Sequence, residues 1–402
     1  MALIDFKVLP GIDKQDTTSG AENRWVDCDN VRFRYNLPEK VGGWSSLVTD
    51  TIVGVARRQF AFVDLDGNRY IAIGTDKFLL IYFEGQLYDV TPLKTTLTSC
   101  TIATTNASAI CSITKASHGL SAGDIVLLDN VTLPVGTGYT NSDFEDKLFQ
   151  VTSVTSSSVF TITQSSNATA TVSTGGSLEV KPYEQVGPAE QSYGYGWGID
   201  SWGSGAWGEA ASASDVSLEP GLWSLSNFGQ VLVATIANGK TFTWNAGDAA
   251  RLTTRASTTT SGFQTTNNPT ATRVSLVSPT TRHLIHLGTE TTIGDTSTQD
   301  DMFIRFSDQE DINDYTPTAI NSAGSQRLQD GTKIIGSLKA KETILVWTDN
   351  ALYTMKFIGA PFTFGFEQVG TNCGLIGKNA AIEIDGAAFW MSNNGFFMFD
   401  GT

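Results

Sequence analysis

Long apolar runs are absent from this sequence. The longest, Phe78 through Phe83, falls far short of the ~18 residues that a membrane-crossing helix requires. The N-terminus, Met1-Ala2-Leu3-Ile4-Asp5-Phe6, has no basic region ahead of an apolar one, so a secretory signal peptide is not expected. Positive charge is scarce: 26 Lys and Arg stand against 41 Asp and Glu, for a formal net charge of −15, and no three basic residues adjoin. Tight nucleic-acid binding draws on clustered cations that displace counterions, so a DNA clamp is disfavoured. Brief contact with moving DNA is not, because a net-negative wall keeps DNA from adhering as it slides past. Cysteine is rare as well. Cys28, Cys100, Cys111 and Cys373 form no CxxC pair, which reads as reduced, mostly buried thiols with no structural metal. Helical periodicity is nearly missing.

What remains is a β pattern. Ser, Thr, Gly and Asn punctuate short runs rich in Val, Ile, Phe and Tyr. One scheme recurs: an apolar strand, a polar turn, another apolar strand. It appears across residues 71–82, 231–244, 344–353 and 388–399, with Asp, Asn or Gly at the turns, where tight hairpins need positive φ. Repeated hairpins at irregular spacing predict an all-β chain built as a β-propeller with irregular blades; a β-sandwich or a series of small β-domains is the alternative. Residues 1–95 are expected to hold an N-terminal segment and the first blades. Residues 96–182, rich in Ser and Thr, read as a small inserted β-domain. Residues 183–222 form a connecting loop rich in Gly and aromatics, and 223–402 hold the remaining blades, which are expected to continue beyond this chain.

Several segments invite functional readings. Val31-Arg32-Phe33-Arg34 alternates, so Arg32 and Arg34 share one strand face and are suited to fork onto carboxylates of a neighbouring blade or subunit; the plainer reading is an exposed polar face. With Trp25, Pro38 and Trp44 they are interface candidates. So are Tyr195, Trp197, Trp202 and Trp207, set among glycines too dense for a regular strand, so that the aromatics must anchor a loop by packing or stacking. The acidic stretch 306–317 lacks the spacing and central Gly of a helix–loop–helix calcium site, and Ser307, Asp308 and Asp314 are expected to cap turns. His283 and His286, three apart, point to opposite strand faces and do not share a metal, while His118 sits in a turn. There is no G-x-S-x-G elbow, P-loop or dinucleotide fingerprint, so no catalytic, cofactor or metal residue is assigned.

Read in order, certain residues carry a resemblance. Leu9-Pro10-Gly11-Ile12-Asp13-Lys14, Trp25, Asn30-Val31-Arg32-Phe33-Arg34 and Leu37-Pro38-Glu39-Lys40-Val41-Gly42-Gly43-Trp44 open the chain. Later come Phe306-Ser307-Asp308-Gln309-Glu310-Asp311, Leu345-Val346-Trp347-Thr348-Asp349 and Gly370-Thr371-Asn372-Cys373-Gly374-Leu375-Ile376-Gly377. This order is similar to the packaged-DNA stabilisation, or tail-nozzle, proteins of short-tailed bacteriophages over roughly residues 1–95 and 220–402. The resemblance implies a non-enzymatic subunit of a homo-hexameric ring in the virion tail, assembled in the host cytoplasm. Its implied partners are the portal–adaptor ring, tail fibres or spikes and, transiently, phage DNA in the lumen. The competing reading is a carbohydrate-binding or glycan-cleaving propeller of a receptor-binding tail component. A cleaving enzyme of that kind is expected to hold a carboxylate pair in a pocket near the blade axis.

Overall fold

The computed structural model describes residues 8–190, 219–260, 263–341 and 343–401. They divide into two compact units, Met1–Thr49 and Asp50–Thr402. Strands account for nearly all regular structure, and among the described residues no helix is long and apolar enough to cross a membrane.

The first unit is thin. Leu9–Ile12 runs parallel to Arg24–Trp25, and Val31–Arg34 pairs antiparallel with Leu37–Lys40. The two-residue turn Tyr35-Asn36 has φ of 50° and 63°, the left-handed pair whose twist matches flanking strands. Of its described residues only Ala21 is buried, so this unit has almost no apolar core of its own.

The second unit contains five antiparallel meanders, each an up-and-down sheet. Blade 1 comprises Ala56–Val63, Arg69–Thr75, Leu79–Phe83 and Gln86–Asp89. Blade 2 comprises Trp223–Phe228, Val231–Ile236 and Thr241–Asn245. Blade 3 comprises Thr272–Val277, Leu284–Glu290, Gln299–Phe306 and Gly324–Arg327. Blade 4 comprises Ile334–Lys339, Ile344–Thr348, Leu352–Gly359 and Thr363–Gly370. Blade 5 comprises Ala381–Ile384, Ala387–Ser392 and Gly395–Phe399. The first strands of successive blades contact one another, and this is the arrangement of a propeller with the inner strand leading each blade. All four hairpins expected from the sequence form. Upstream of the barrel there is one blade rather than several, because the strands before residue 50 pair in the separate first unit.

Apolar side chains join the blades face to face. Phe62, Tyr70 and Ile81 of blade 1 meet Trp223, Leu225 and Trp244 of blade 2. Val233 and Phe228 meet Val277 and Leu284, joining blades 2 and 3. Ile304 and Met302 meet Ile334 and Val346 between blades 3 and 4, and Trp347 meets Trp390 between blades 4 and 5. Covering both faces explains why Val231–Ile236 and Leu284–Glu290 are buried at every position and show no alternation. A fully buried Trp removes on the order of 200 Å² from water, about 5 kcal/mol before ordering entropy is counted. The circuit back from blade 5 to blade 1 is polar instead: Arg58 Nη1 donates to Asn379 Oδ1 (3.2 Å), and Asn379 Nδ2 to the Arg57 carbonyl (3.2 Å).

The insertion is a closed six-stranded barrel running from Leu97–Thr104 to Val172–Pro182, filled by Ile102, Ile113, Val126, Phe144 and Phe160 together with Cys100 and Cys111. Closure leaves no free strand edge. Tyr183 ties the barrel to blade 1: its hydroxyl donates to Asp89 Oδ2 (2.6 Å) and accepts from Arg255 Nη2 (2.7 Å).

Candidate assembly surfaces and an axial cavity

Alternation on Val31–Arg34 leaves Arg32 and Arg34 exposed on one face, with Val31 and Phe33 half-buried on the other. Arg32 finds its carboxylate within the hairpin: Nε donates to Glu39 Oε2 (3.0 Å), the residue opposite it in register. That pairing holds the Glu39 carboxyl below its ordinary value. The Arg34 guanidinium lies over the Tyr35 ring, 5.3 Å from its centre. Trp25 is half-buried, Pro38 is exposed, and Trp44 is 93% exposed, with Tyr35, Leu37 and Leu47 also open. Tyr195, Trp197, Trp202 and Trp207 lie outside the described residues.

A second exposed apolar surface is one that sequence inspection passed over. Blade 5 alternates on all three strands, so one face carries Ile382, Ile384, Phe389, Met391, Phe396 and Met398, all exposed. Register joins them: Ile382 opposes Phe389, Phe389 opposes Met398, and Met391 opposes Phe396. The opposite face, with Trp390 and Ala388, is the one packed on blade 4.

The acidic stretch 306–317 is used locally. Asp308 Oδ1 accepts from the N–H groups of Gln309 and Ser322 (both 2.8 Å), and Asp314 accepts from Thr316 N (3.0 Å) and Asn321 Nδ2 (3.0 Å). These are turn caps. His283 bonds Thr281 and Ser322 with its two nitrogens, and His286 bonds Thr272 and Tyr315. His118 accepts from Leu120 N (3.0 Å) through Nδ1 and therefore carries its proton on Nε2, facing the Ser156 carbonyl. Asp129, Glu145 and Asp146 cluster in the barrel, where Asp129 pairs with Lys181 and Glu145 accepts from the backbone N–H groups of Asn130 and Val131.

At the propeller axis lies a cavity of about 210 Å³, lined by Arg58 and Phe60 of blade 1, Ser224 of blade 2, Ser275 of blade 3, Lys339 of blade 4 and Lys378 on the approach to blade 5. Lys378 Nζ donates to Ser224 Oγ (2.9 Å) and Lys339 Nζ to Ser226 Oγ (2.8 Å). Burial and the nearby Arg58 guanidinium push Lys339 down to about 8. Burial, with Arg58 and Arg273, pushes Lys378 down to about 7. The adjoining mouth holds Glu219 and Asp349. Burial tends to raise the Glu219 carboxyl, but hydrogen bonds from Arg273 (2.7 Å) and Lys333 (2.8 Å) outweigh it and leave it below its ordinary value. Asp349 is likewise held low: burial opposes, but the Thr332 hydroxyl and N–H donate to it. No basic run signals this cluster, because its cations come from well-separated blades. The sequence hint is faint, two serines at Ser224 and Ser226 on one face of a strand.

No protein-family model matches this chain, and no curated protein does. Among solved structures, the phage phi92 endosialidase is similar at 14% identity and a TM-score of 0.26, covering 80% of this chain and 50% of that one. The chain thus spans about half the length of that structure.

Proposed function

We propose that this chain is a structural subunit of the lower tail tube, or nozzle, of a short-tailed bacteriophage. It would assemble as a homo-hexameric ring beneath the portal and adaptor, retain packaged DNA, and form its exit channel. The observation that carries the reading is the amount of apolar surface left open. Tyr35, Leu37, Trp44 and Leu47 are exposed in a unit with almost no core, and six apolar side chains cover one face of blade 5. Isolated two-stranded ribbons are marginal in water, and large contiguous apolar patches on a soluble protein mark contact sites. A rotational ring buries such patches through one heterologous interface repeated around its axis.

Charge and site chemistry support the same reading. A net charge of −15 suits a wall that DNA must pass without sticking. The carboxyls at the axial mouth are held ionised by cations and hydroxyls, which leaves neither poised as the protonated acid of a glycosidase.

Electron microscopy of the purified chain mixed with portal–adaptor rings tests the proposal. The expected result is a sixfold tube below the adaptor. Trp44→Asp and Phe396→Asp should each weaken ring formation at least tenfold while leaving the circular dichroism spectrum unchanged. A chain that stays monomeric at every concentration, or that cleaves a glycan, overturns it.

A further inference from the structure

No carboxylate lines the axial cavity, and the nearest acidic influence on its cations is Glu219 in the adjoining mouth, which Arg273 and Lys333 already engage. Arg58, Lys339 and Lys378 face the cavity, and among the described residues none of the three has a carboxylate within ion-pair distance. Each lysine spends one N–H on a serine and keeps two. The serines are also saturated as acceptors. Ser224 Oγ takes the Ser275 N–H (3.2 Å) as well as Lys378, and Ser226 Oγ takes the Val277 N–H (3.2 Å) as well as Lys339. With their lone pairs engaged, both hydroxyl protons must point elsewhere, and neither has an acceptor among the described residues. Both serines are almost fully buried, at 4% and 2% exposed. A buried hydroxyl donor left unmatched is costly, and the half-buried lysines and exposed Arg58 bring positive charge beside it.

We propose that the propeller axis binds a tetrahedral oxyanion of the sulfate or phosphate class, held by Arg58, Lys339 and Lys378 with the Ser224 hydroxyl. The ligand's oxygens accept from groups contributed by blades 1, 2 and 4 and by the lead-in to blade 5, so its binding ties these elements together where they converge. The cavity of about 210 Å³ has room for several waters' worth of volume at about 30 Å³ each, enough for such an ion with part of its hydration. The site does not depend on the nozzle reading and would hold in a propeller of any function.

Sulfate is the cleaner probe, because it stays a dianion across the range where the lysines discharge. Titration calorimetry of the full chain at pH 6, with gluconate matching ionic strength, should show one saturable sulfate site. Lys339→Met and Lys378→Met should each weaken it about tenfold, the usual yield of a charge-assisted hydrogen bond. Lys115→Met, at a half-buried barrel position that lines no part of the cavity, should leave it unchanged. Affinity should fall on the order of 100-fold between pH 6 and pH 9 as Lys378 and Lys339 both lose their protons, about tenfold for each, and binding near pH 8 should take up protons from buffer. A parallel phosphate titration separates the two ions: similar affinity at pH 6 supports a general oxyanion site, and tighter sulfate binding supports preference for the unprotonated ion. Wild-type proton uptake decides the matter even if the methionine variants fail to fold. The proposal is overturned by no sulfate heat at pH 6, by binding that chloride reproduces at equal ionic strength, or by affinity indifferent to pH.

Discussion

The indole of Trp223 lies against the bare α-carbon of Gly74: a Cβ at residue 74 would stand 2.6 Å from Trp223 Cδ1. The same indole donates from Nε1 to the Thr75 carbonyl at 3.0 Å. Glycine here is a packing requirement, since only a residue without a side chain lets the first strand of blade 2 press onto the second strand of blade 1. The contact fixes the angle between two blades and, through them, the position of Arg58 relative to Ser224.

Gly74→Ala should therefore overpack this joint. The expected loss is about 1–3 kcal/mol, the range for an extra methyl forced into a filled core. Urea denaturation followed by tryptophan fluorescence checks it. An unchanged midpoint would mean that the blades slide apart without cost.

Tyr183→Phe removes a hydroxyl that both donates to Asp89 and accepts from Arg255, leaving a carboxylate and a guanidinium short of one partner each. Loss of a charge-assisted bond of this kind costs about 1.5–3 kcal/mol. The barrel's own core is separate, so barrel amides should keep their hydrogen-exchange protection while those around Leu93 and Leu80 lose it. Uniform loss across the barrel would contradict this.

His286 sets an acid limit. Burial, with help from the Arg305 charge, pushes its imidazole down to about 3, and its nitrogens are engaged by Thr272 and Tyr315. The unfolded chain takes up a proton near pH 6.5 and the folded one does not, so the native state loses stability as pH falls through the window from about 6.5 to about 3. The slope from this one group is about 1.4 kcal/mol per pH unit. His286→Gln should be less stable at neutral pH yet flatter across that window, measured as urea midpoints from pH 7 to pH 4. Equal slopes for the two proteins would remove His286 as the cause.

Much of the fold was legible in the sequence because hairpins are local objects. The strand–turn–strand runs at 71–82, 231–244, 344–353 and 388–399 each carry their own turn chemistry, and each folds as expected. The acidic stretch was legible for the same reason, since Asp308 and Asp314 cap backbone within a few residues. Blade 3 was harder to see: its central strand, buried on both faces, has no alternation, and a long loop containing residues 307–323 precedes its last strand. The exposed face of blade 5 is written as alternation, but alternation alone does not say which face a neighbour covers.

The sequence by itself determined an all-β chain of punctuated hairpins with an acidic balance and turn-capping carboxylates, because each of these depends on residues close together along the backbone. Only the tertiary structure decided that Arg58, Lys339 and Lys378 face one cavity, that Trp223 needs a glycine beneath it, and that among the described residues one face of blade 5 is left exposed. Those facts arise from the order in which blades stack around an axis. Burial and long-range charge act between residues whose separation along the chain carries no trace of their meeting.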